Sequence, residues 1–214
     1  YYLWGNHAVL SALRNPKRII KKLYLTEKNK AYMDELNILS HHPIKILHLN
    51  EIDKLFHQQM VTHQGFVLET IPLQKKSLNE VTESTLLVAL DQVTDPQNIG
   101  AIMRSSKVFG ATSLITTKKH SPGETGSLAK AASGALEYID IVEVTNLAAT
   151  LTLLSKKGFI IIGLDELGES KMSDIKYECE LYDCYDDEHI EKDWMRINFY
   201  TNWLEKINSK KNYV

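Results

Sequence analysis

Residues 86–117 read LLVALDQVTDPQNIGAIMRSSKVFGATSLITT, and the fold turns on this stretch. Its first five residues, 86–90, are an unbroken apolar run, short and bounded like a strand buried on both faces. A polar loop follows. Asp95-Pro96 then reads as a helix start, with Asp95 as N-cap and Pro96 at the first helical position. Ile99, Ile102, Met103, Ser106 and Phe109 recur at helical spacing and predict one inward face. Gly110 is placed to end that helix, and 113–117 resumes as a strand. Open α/β sheets bind ligands beyond the carboxyl ends of their strands, which is where the loop after residue 90 falls.

The same alternation continues downstream. A turn-rich loop at 120–126 precedes a small-residue helix at 127–136 and a strand at 139–144. Thr145 is the expected N-cap of a helix over 147–156, with Leu147, Leu151 and Leu154 as its inner stripe, and Gly158 closes it. The strand at 159–164 is almost wholly apolar. Strands apolar on both faces and separated by helices predict a doubly wound α/β domain with a parallel sheet covered on both sides.

Upstream, residues 1–71 alternate shorter elements. A helix is expected at 6–13 after Tyr2-Leu3-Trp4-Gly5, then a basic connection at 14–22 and a strand at 23–26. A helix at 30–40, a strand at 44–47, a helix capped by Asn50 and running to Phe56, and a strand at 65–71 complete a small α/β unit. The polar stretch 72–85, with Gln74-Lys75-Lys76-Ser77, reads as a linker. From about Tyr177 the character changes: acidic residues crowd 183–193, aromatics become frequent and glycine vanishes. A helix is expected over 188–208, with Ile190, Trp194, Ile197 and Leu204 roughly on one face.

Composition narrows the class. With 43% hydrophobic and 24% charged residues among 214, the chain reads as an ordinary globular protein. No apolar run approaches a membrane span and no secretory signal opens the chain, so a cytoplasmic protein without a membrane partner is expected. Tyr1 as the first residue suggests that the natural start is missing. Cys179 and Cys184 form neither a disulfide framework nor a metal site, and no GxGxxG follows any strand. The net charge of −2 means that any nucleic-acid surface must be a local patch. His7, Arg14, Lys17, Arg18, Lys21 and Lys22 are the candidates for one. Glu124, just after a turn, is expected to face solvent.

VTDPQNIGAIMRSSKVFGA resembles the first signature motif of the SpoU/TrmH-type RNA ribose 2′-O-methyltransferases. KAASGALEYIDIVEVTNLAATLTLLSKKGFIIIGLD resembles the segment that follows it in that family, and most of all in its bacterial 23S rRNA guanosine branch. WGNHAVLSALRNPKRIIKKLYLT is similar to the family's substrate-binding domain, and His63-Gln64-Gly65 to the point where that domain ends. The resemblance implies an L30-like substrate-binding domain over 1–71, a linker at 72–85 and a SPOUT-type methyltransferase domain over 86–175. It further implies methyl transfer from S-adenosylmethionine to a ribose 2′-hydroxyl of RNA, rRNA rather than tRNA, by a homodimer whose sites are shared between subunits. Asn98 and Arg104 are the motif's functional residues by this resemblance. The family reading makes the arginine a proton acceptor. A guanidinium is a very poor base, and contact with a phosphate through its planar fork is the simpler role. Gly100 and Ala101 leave room for close approach of another backbone.

The departures come later in the chain. The family's Gly-x-Glu strand end and its Ile-Pro segment followed by Ser-Leu-Asn help form a trefoil knot around the cofactor, and neither occurs after the first motif here. Ile71-Pro72 and Ser77-Leu78-Asn79 precede that motif and read as a coincidence. The chain is thus expected to leave the family pattern at about 176, through a shifted reading frame or a replaced end. On this reading 176–214 is divergent, the knot is incomplete and the cofactor-binding residues are unassigned. The alternative to an active methyltransferase is an RNA-binding remnant without its cofactor knot.

Overall fold

The computed structural model describes residues 1–38, 42–57, 59–81, 86–119, 123–164 and 197–201. Two sheets organise them. The first holds β1 (Tyr2–Trp4), β2 (Ile20–Leu25), β3 (Ile44–Ile46) and β4 (Phe66–Thr70) in the order β1-β4-β2-β3. Its β1–β4 and β4–β2 pairs are antiparallel and β2–β3 is parallel. Helices α1 (Asn6–Arg14), α2 (Glu27–Glu35) and α3 (Leu49–Asp53) connect it. The boundaries expected for α2 and α3 shift because other residues cap them. Thr26 Oγ1 accepts from the Asn29 N–H at 3.4 Å, and Glu51 reaches back to the His48 N–H at 2.8 Å, so Asn50 lies inside its helix.

The second sheet is wholly parallel. Its strands are β5 (Leu86–Leu90), β6 (Ser113–Thr117), β7 (Asp140–Val144), β8 (Ile160–Leu164) and β9 (Ile197–Thr201), in the order β7-β6-β5-β9-β8. The helix expected over 188–208 is therefore corrected: 197–201 is a strand, paired with β5 on one side and β8 on the other. Two parallel partners satisfy both edges of its backbone, and tertiary pairing of this kind overrides a weak helical spacing. The expected end of the family pattern, the incomplete knot, Cys179 and Cys184 concern residues that are mostly outside the described ones.

The helices of this half are α4 (Pro96–Val108), α5 (Gly126–Ala132) and α6 (Leu147–Lys156). Side chains along a strand alternate between faces, and the burial follows that rule. Leu87, Ala89 and Ile115 pack with Leu147, Leu151 and Leu154 of α6, whereas Val88, Leu90 and Leu114 pack with Ile99 and Met103 of α4. That second cluster continues through Leu128 and Ala132 of α5 into Leu3, Val9 and Leu23, so one apolar core joins the two sheets. The stretch after β4 packs rather than hangs free. Lys76 bridges to Val142 of β7, Lys75 pairs with Glu143 and Lys76 with Asp140, both at 2.6 Å.

A buried charge cluster fixes the same junction. Arg18 makes a two-pronged contact with Glu137 (3.1 and 2.6 Å), bonds the Ile71 carbonyl at 3.1 Å and pairs with Glu124. The side chains of Arg18, Glu124 and Glu137 are no more than 5% exposed. Glu124 is therefore an interior carboxylate, not the solvent-facing one expected, because Arg18, the Tyr1 hydroxyl and the Leu73 N–H all reach it. Burial alone would make the Arg18 proton easier to lose. Its hydrogen bonds to Glu137 and the surrounding negative charges outweigh that and hold the guanidinium firmly protonated.

Two helix ends correct the expected pattern. Asn146, not Thr145, caps α6, its Oδ1 accepting from the Ala149 N–H at 3.0 Å. The small-residue helix stops at Ala132 because Ser133 and Gly134 turn left-handed, and a single 3-10 turn covers Ala135–Glu137. Among the described residues, no helix is long and apolar enough to cross a membrane.

Candidate active site

Strand order reverses at β5. The chain goes from β5 outward through β6 to β7 on one side, while β9 and β8 lie on the other. A parallel sheet opens a crevice at such a reversal, beyond the carboxyl ends of its strands. The loop after Leu90 lies there and feeds directly into α4. Asp95 caps that helix, its Oδ1 accepting from the Gln97 N–H at 3.0 Å, and Pro96 occupies the first turn as expected. The helix closes through a Schellman pair at Gly110 (φ 79°): Gly110 N–H to Lys107 O at 3.2 Å and Ala111 N–H to Ser106 O at 2.9 Å. Asp95→Ala is expected to cost about 1 kcal/mol, a fall in Tm of roughly 2–4 °C by calorimetry. An unchanged Tm would mean that the cap contributes nothing to anchoring the loop.

Buried Ile99, Gly100, Met103 and Ser106 face α5 and the core, and Ile102 is partly buried. Phe109 does not complete the stripe: it is 76% exposed, because the helix has already ended beneath it. A Cβ on Gly100 would sit 2.4 Å from the Ala131 Cβ and 2.7 Å from backbone atoms of Ala131 and Ala132. Gly100 thus permits the close approach of α4 to α5 that its position in the motif suggested.

Asn98 is exposed in the first turn of α4, and Arg104 is exposed further along. Six residues of helix separate them by about 9 Å of rise and about 240° of rotation, so they leave α4 on different faces. The helix does not bring the two side chains together. Arg104 leans toward α5, where its Nη1 donates to the Ala131 carbonyl. A guanidinium carries five N–H donors, so that contact orients it and leaves others for a ligand.

Of the six basic candidates, one is buried. His7, Arg14, Lys17 and Lys21 are exposed, and Lys22 lies with its Nζ 5.8 Å over the Tyr24 ring. Lys21 sits at an irregularity in the β2–β4 pairing, between Ile20 opposite Thr70 and Lys22 opposite Glu69. Lys17 lines a cavity of about 320 Å³ with Lys75, Lys76, Glu80, Asp140 and Glu143, a mixed-charge setting. Arg18 is removed from the set altogether, since its charge is buried between Glu124 and Glu137. A run of basic residues in sequence gives no sign of which member turns inward.

An open position borders the crevice. Gly163, at the carboxyl end of β8, is exposed, and a Cβ there would meet no described atom within 4 Å. The loop after β5 and the carboxyl ends of β8 and β9 meet there, and an elongated group such as S-adenosylmethionine would lie across them.

The chain thus presents the start of α4, with exposed Asp95 and Asn98, at the strand-order reversal of a wholly parallel sheet, the place where α/β proteins of this class bind ligands. The SpoU rRNA methylase family profile matches residues 85–189, and a profile for RNA 2′-O ribose methyltransferase substrate binding matches 2–76. The chain belongs to the SpoU rRNA methylase family. It is 36% identical over 195 residues to the 23S rRNA (guanosine-2′-O-)-methyltransferase RlmB of Neisseria meningitidis serogroup B, covering 85% of this chain and 74% of that protein. Against the enzyme of the same name from Nitrosomonas europaea the identity is 34% over 169 residues, or 76% of this chain and 65% of the relative. The AdoMet-bound rRNA methyltransferase of Sinorhizobium meliloti superposes with a TM-score of 0.65 at 17% identity, covering 93% of this chain and 69% of that one. The family match runs to residue 189, past the expected break near 176.

Proposed function

We propose that this chain transfers a methyl group from S-adenosylmethionine to a ribose 2′-hydroxyl of RNA, rRNA in particular. One observation carries the reading: within the family match, α4 starts at the strand-order reversal with Asp95 and Asn98 exposed, while its inner face is locked onto α5 and Arg104 stays at the surface. Residues 1–71 would hold the RNA, the stretch 72–85 would join the two parts, and residues 86–175 would carry the chemistry.

When bound, S-adenosylmethionine supplies an electrophilic methyl on its sulfonium. The chain's own task is to position a weakly acidic hydroxyl in line and accept or relay its proton. Asn98 offers an amide to ribose or backbone groups. Arg104, steadied by the Ala131 carbonyl, offers its planar fork to a phosphate and so fixes the sugar. A side chain of five N–H donors and no acceptor, tied to the Ala131 carbonyl, supports orientation over proton abstraction as its part. Exposed His7, Arg14, Lys17 and Lys21 would add salt-sensitive affinity for RNA. Val108 and Phe109 are 80% and 76% exposed at the end of α4, an apolar pair that supports a homodimer. Action on rRNA would put the protein in the cytoplasm.

Calorimetry with S-adenosylmethionine, followed by mapping of 2′-O-methyl groups on a 23S rRNA fragment, tests the proposal. Saturable binding with one methylated ribose is expected. No heat and no methylation, alongside retained RNA binding, would reduce the chain to an RNA-binding remnant.

A further inference from the structure

The His63-Gln64-Gly65 turn is more heavily built than a simple domain end requires. Gln64 sits at φ 59° and Gly65 at φ 75°, a left-handed pair whose first member is not glycine. Such a residue persists only where its surroundings over-determine it. Here they do. Buried His63 accepts the Gly65 N–H on Nδ1 at 2.9 Å and contacts Asp53 Oδ1 through Nε2 at 2.9 Å. The Asn29 amide donates to the Gln64 carbonyl at 2.8 Å, and the Thr26 N–H to the Gly65 carbonyl at 3.3 Å.

The effect is to present one exposed amide at the seam with α5. Gln64 Oε1 accepts from the Asn6 N–H at 3.3 Å and from Lys130 Nζ at 2.7 Å. With that oxygen turned inward, the Nε2 donors of Gln64 have no described partner. Lys130 is half-buried against Gly5, where a Cβ would come within 2.8 Å of Nζ. No described carboxylate pairs with it, unlike Lys30, Lys75 and Lys76. Burial lowers its pKa, so a partly dehydrated cation waits there without an anion. Its chain neighbour Ala131 holds Arg104. Donors thus run from Arg104 on α4, over α5, to Gln64 on the amino-terminal unit.

We propose that Gln64 and Lys130 together grip one RNA phosphodiester where the strand crosses from the amino-terminal unit toward Arg104. This rests on the RNA reading above. Two remaining ammonium N–H donors and the Gln64 amide supply the contacts, and the anion restores charge balance to Lys130.

The test is the affinity of the full chain for a 23S rRNA fragment, by fluorescence anisotropy across a salt series without S-adenosylmethionine. Lys130→Gln should weaken binding about tenfold and shallow the salt slope by about one, while Lys130→Arg keeps the slope. Gln64→Glu separates a phosphate grip from a mere tie between units, and its exposed position keeps the fold intact. A new carboxylate beside Lys130 strengthens a tie but competes with phosphate, so RNA affinity should fall more than about tenfold with no loss of Tm. Unchanged affinity in Gln64→Glu, or an unchanged salt slope in Lys130→Gln, would overturn the proposal. Because binding is read apart from turnover, a chain that binds RNA with these dependences but never methylates it would uphold the grip and defeat only the catalytic reading.

Discussion

Arg18→Ala is expected to destabilise the protein by about 3–5 kcal/mol, because it strands two buried carboxylates without their cation. Glu124 and Glu137 would keep only the neutral donors Tyr1, Asn15 and the Leu73 N–H. Their mutual repulsion would act in a poorly hydrated interior, where charge is costly. The cluster spans the stretch before β2, the segment after β4 and both ends of the α5 region, so its loss loosens the seam between the sheets. Urea denaturation gives the size, and a Tm lower by more than about 10 °C is the thermal counterpart. Adding Glu137→Gln should recover part of the loss by removing one of the two charges. A loss below about 1 kcal/mol would show that water reaches these carboxylates.

The second large effect concerns Arg104. Arg104→Ala should lower methyl transfer about 10²–10³-fold while leaving Tm almost unchanged, since the side chain is exposed. Arg104→Lys keeps the charge but not the planar fork, and should recover little. Gly100→Val reaches the same arginine through the backbone. Its added carbons would strike Ala131 and Ala132 and drive α5 away, displacing the carbonyl that orients Arg104. Both stability and turnover should fall, whereas Arg104→Ala affects turnover alone. Single-turnover transfer of labelled methyl to RNA checks both variants. Wild-type turnover in Arg104→Ala would remove this arginine from the site.

The parallel sheet and the Asp95–Arg104 turn could be read in advance because each rests on local signals: unbroken apolar runs, a cap with proline, a terminating glycine. Gly100 was equally legible, since a glycine inside an otherwise good helix former points to close packing. What escaped were features made by distant partners. Nothing within 14–22 distinguishes Arg18 from its basic neighbours; only Glu124 and Glu137, more than a hundred residues away, turn it inward. Residues 197–201 carry a mixed pattern that local spacing reads as helix, and their strand state depends on β5 and β8 for partners. Nothing in the small-residue helix around Lys130 signals that the Gln64 turn, 66 residues away in the chain, lies beside it.

The position of β9 has a bearing on how such a chain is born. An interior strand supplied by residues 197–201 leaves a slot between β5 and β8 throughout the time that everything upstream is already outside the ribosome. Until it is filled, two rows of peptide groups stand open to any passing strand, so this half of the molecule matures late, and its nascent form is the one most in need of a chaperone.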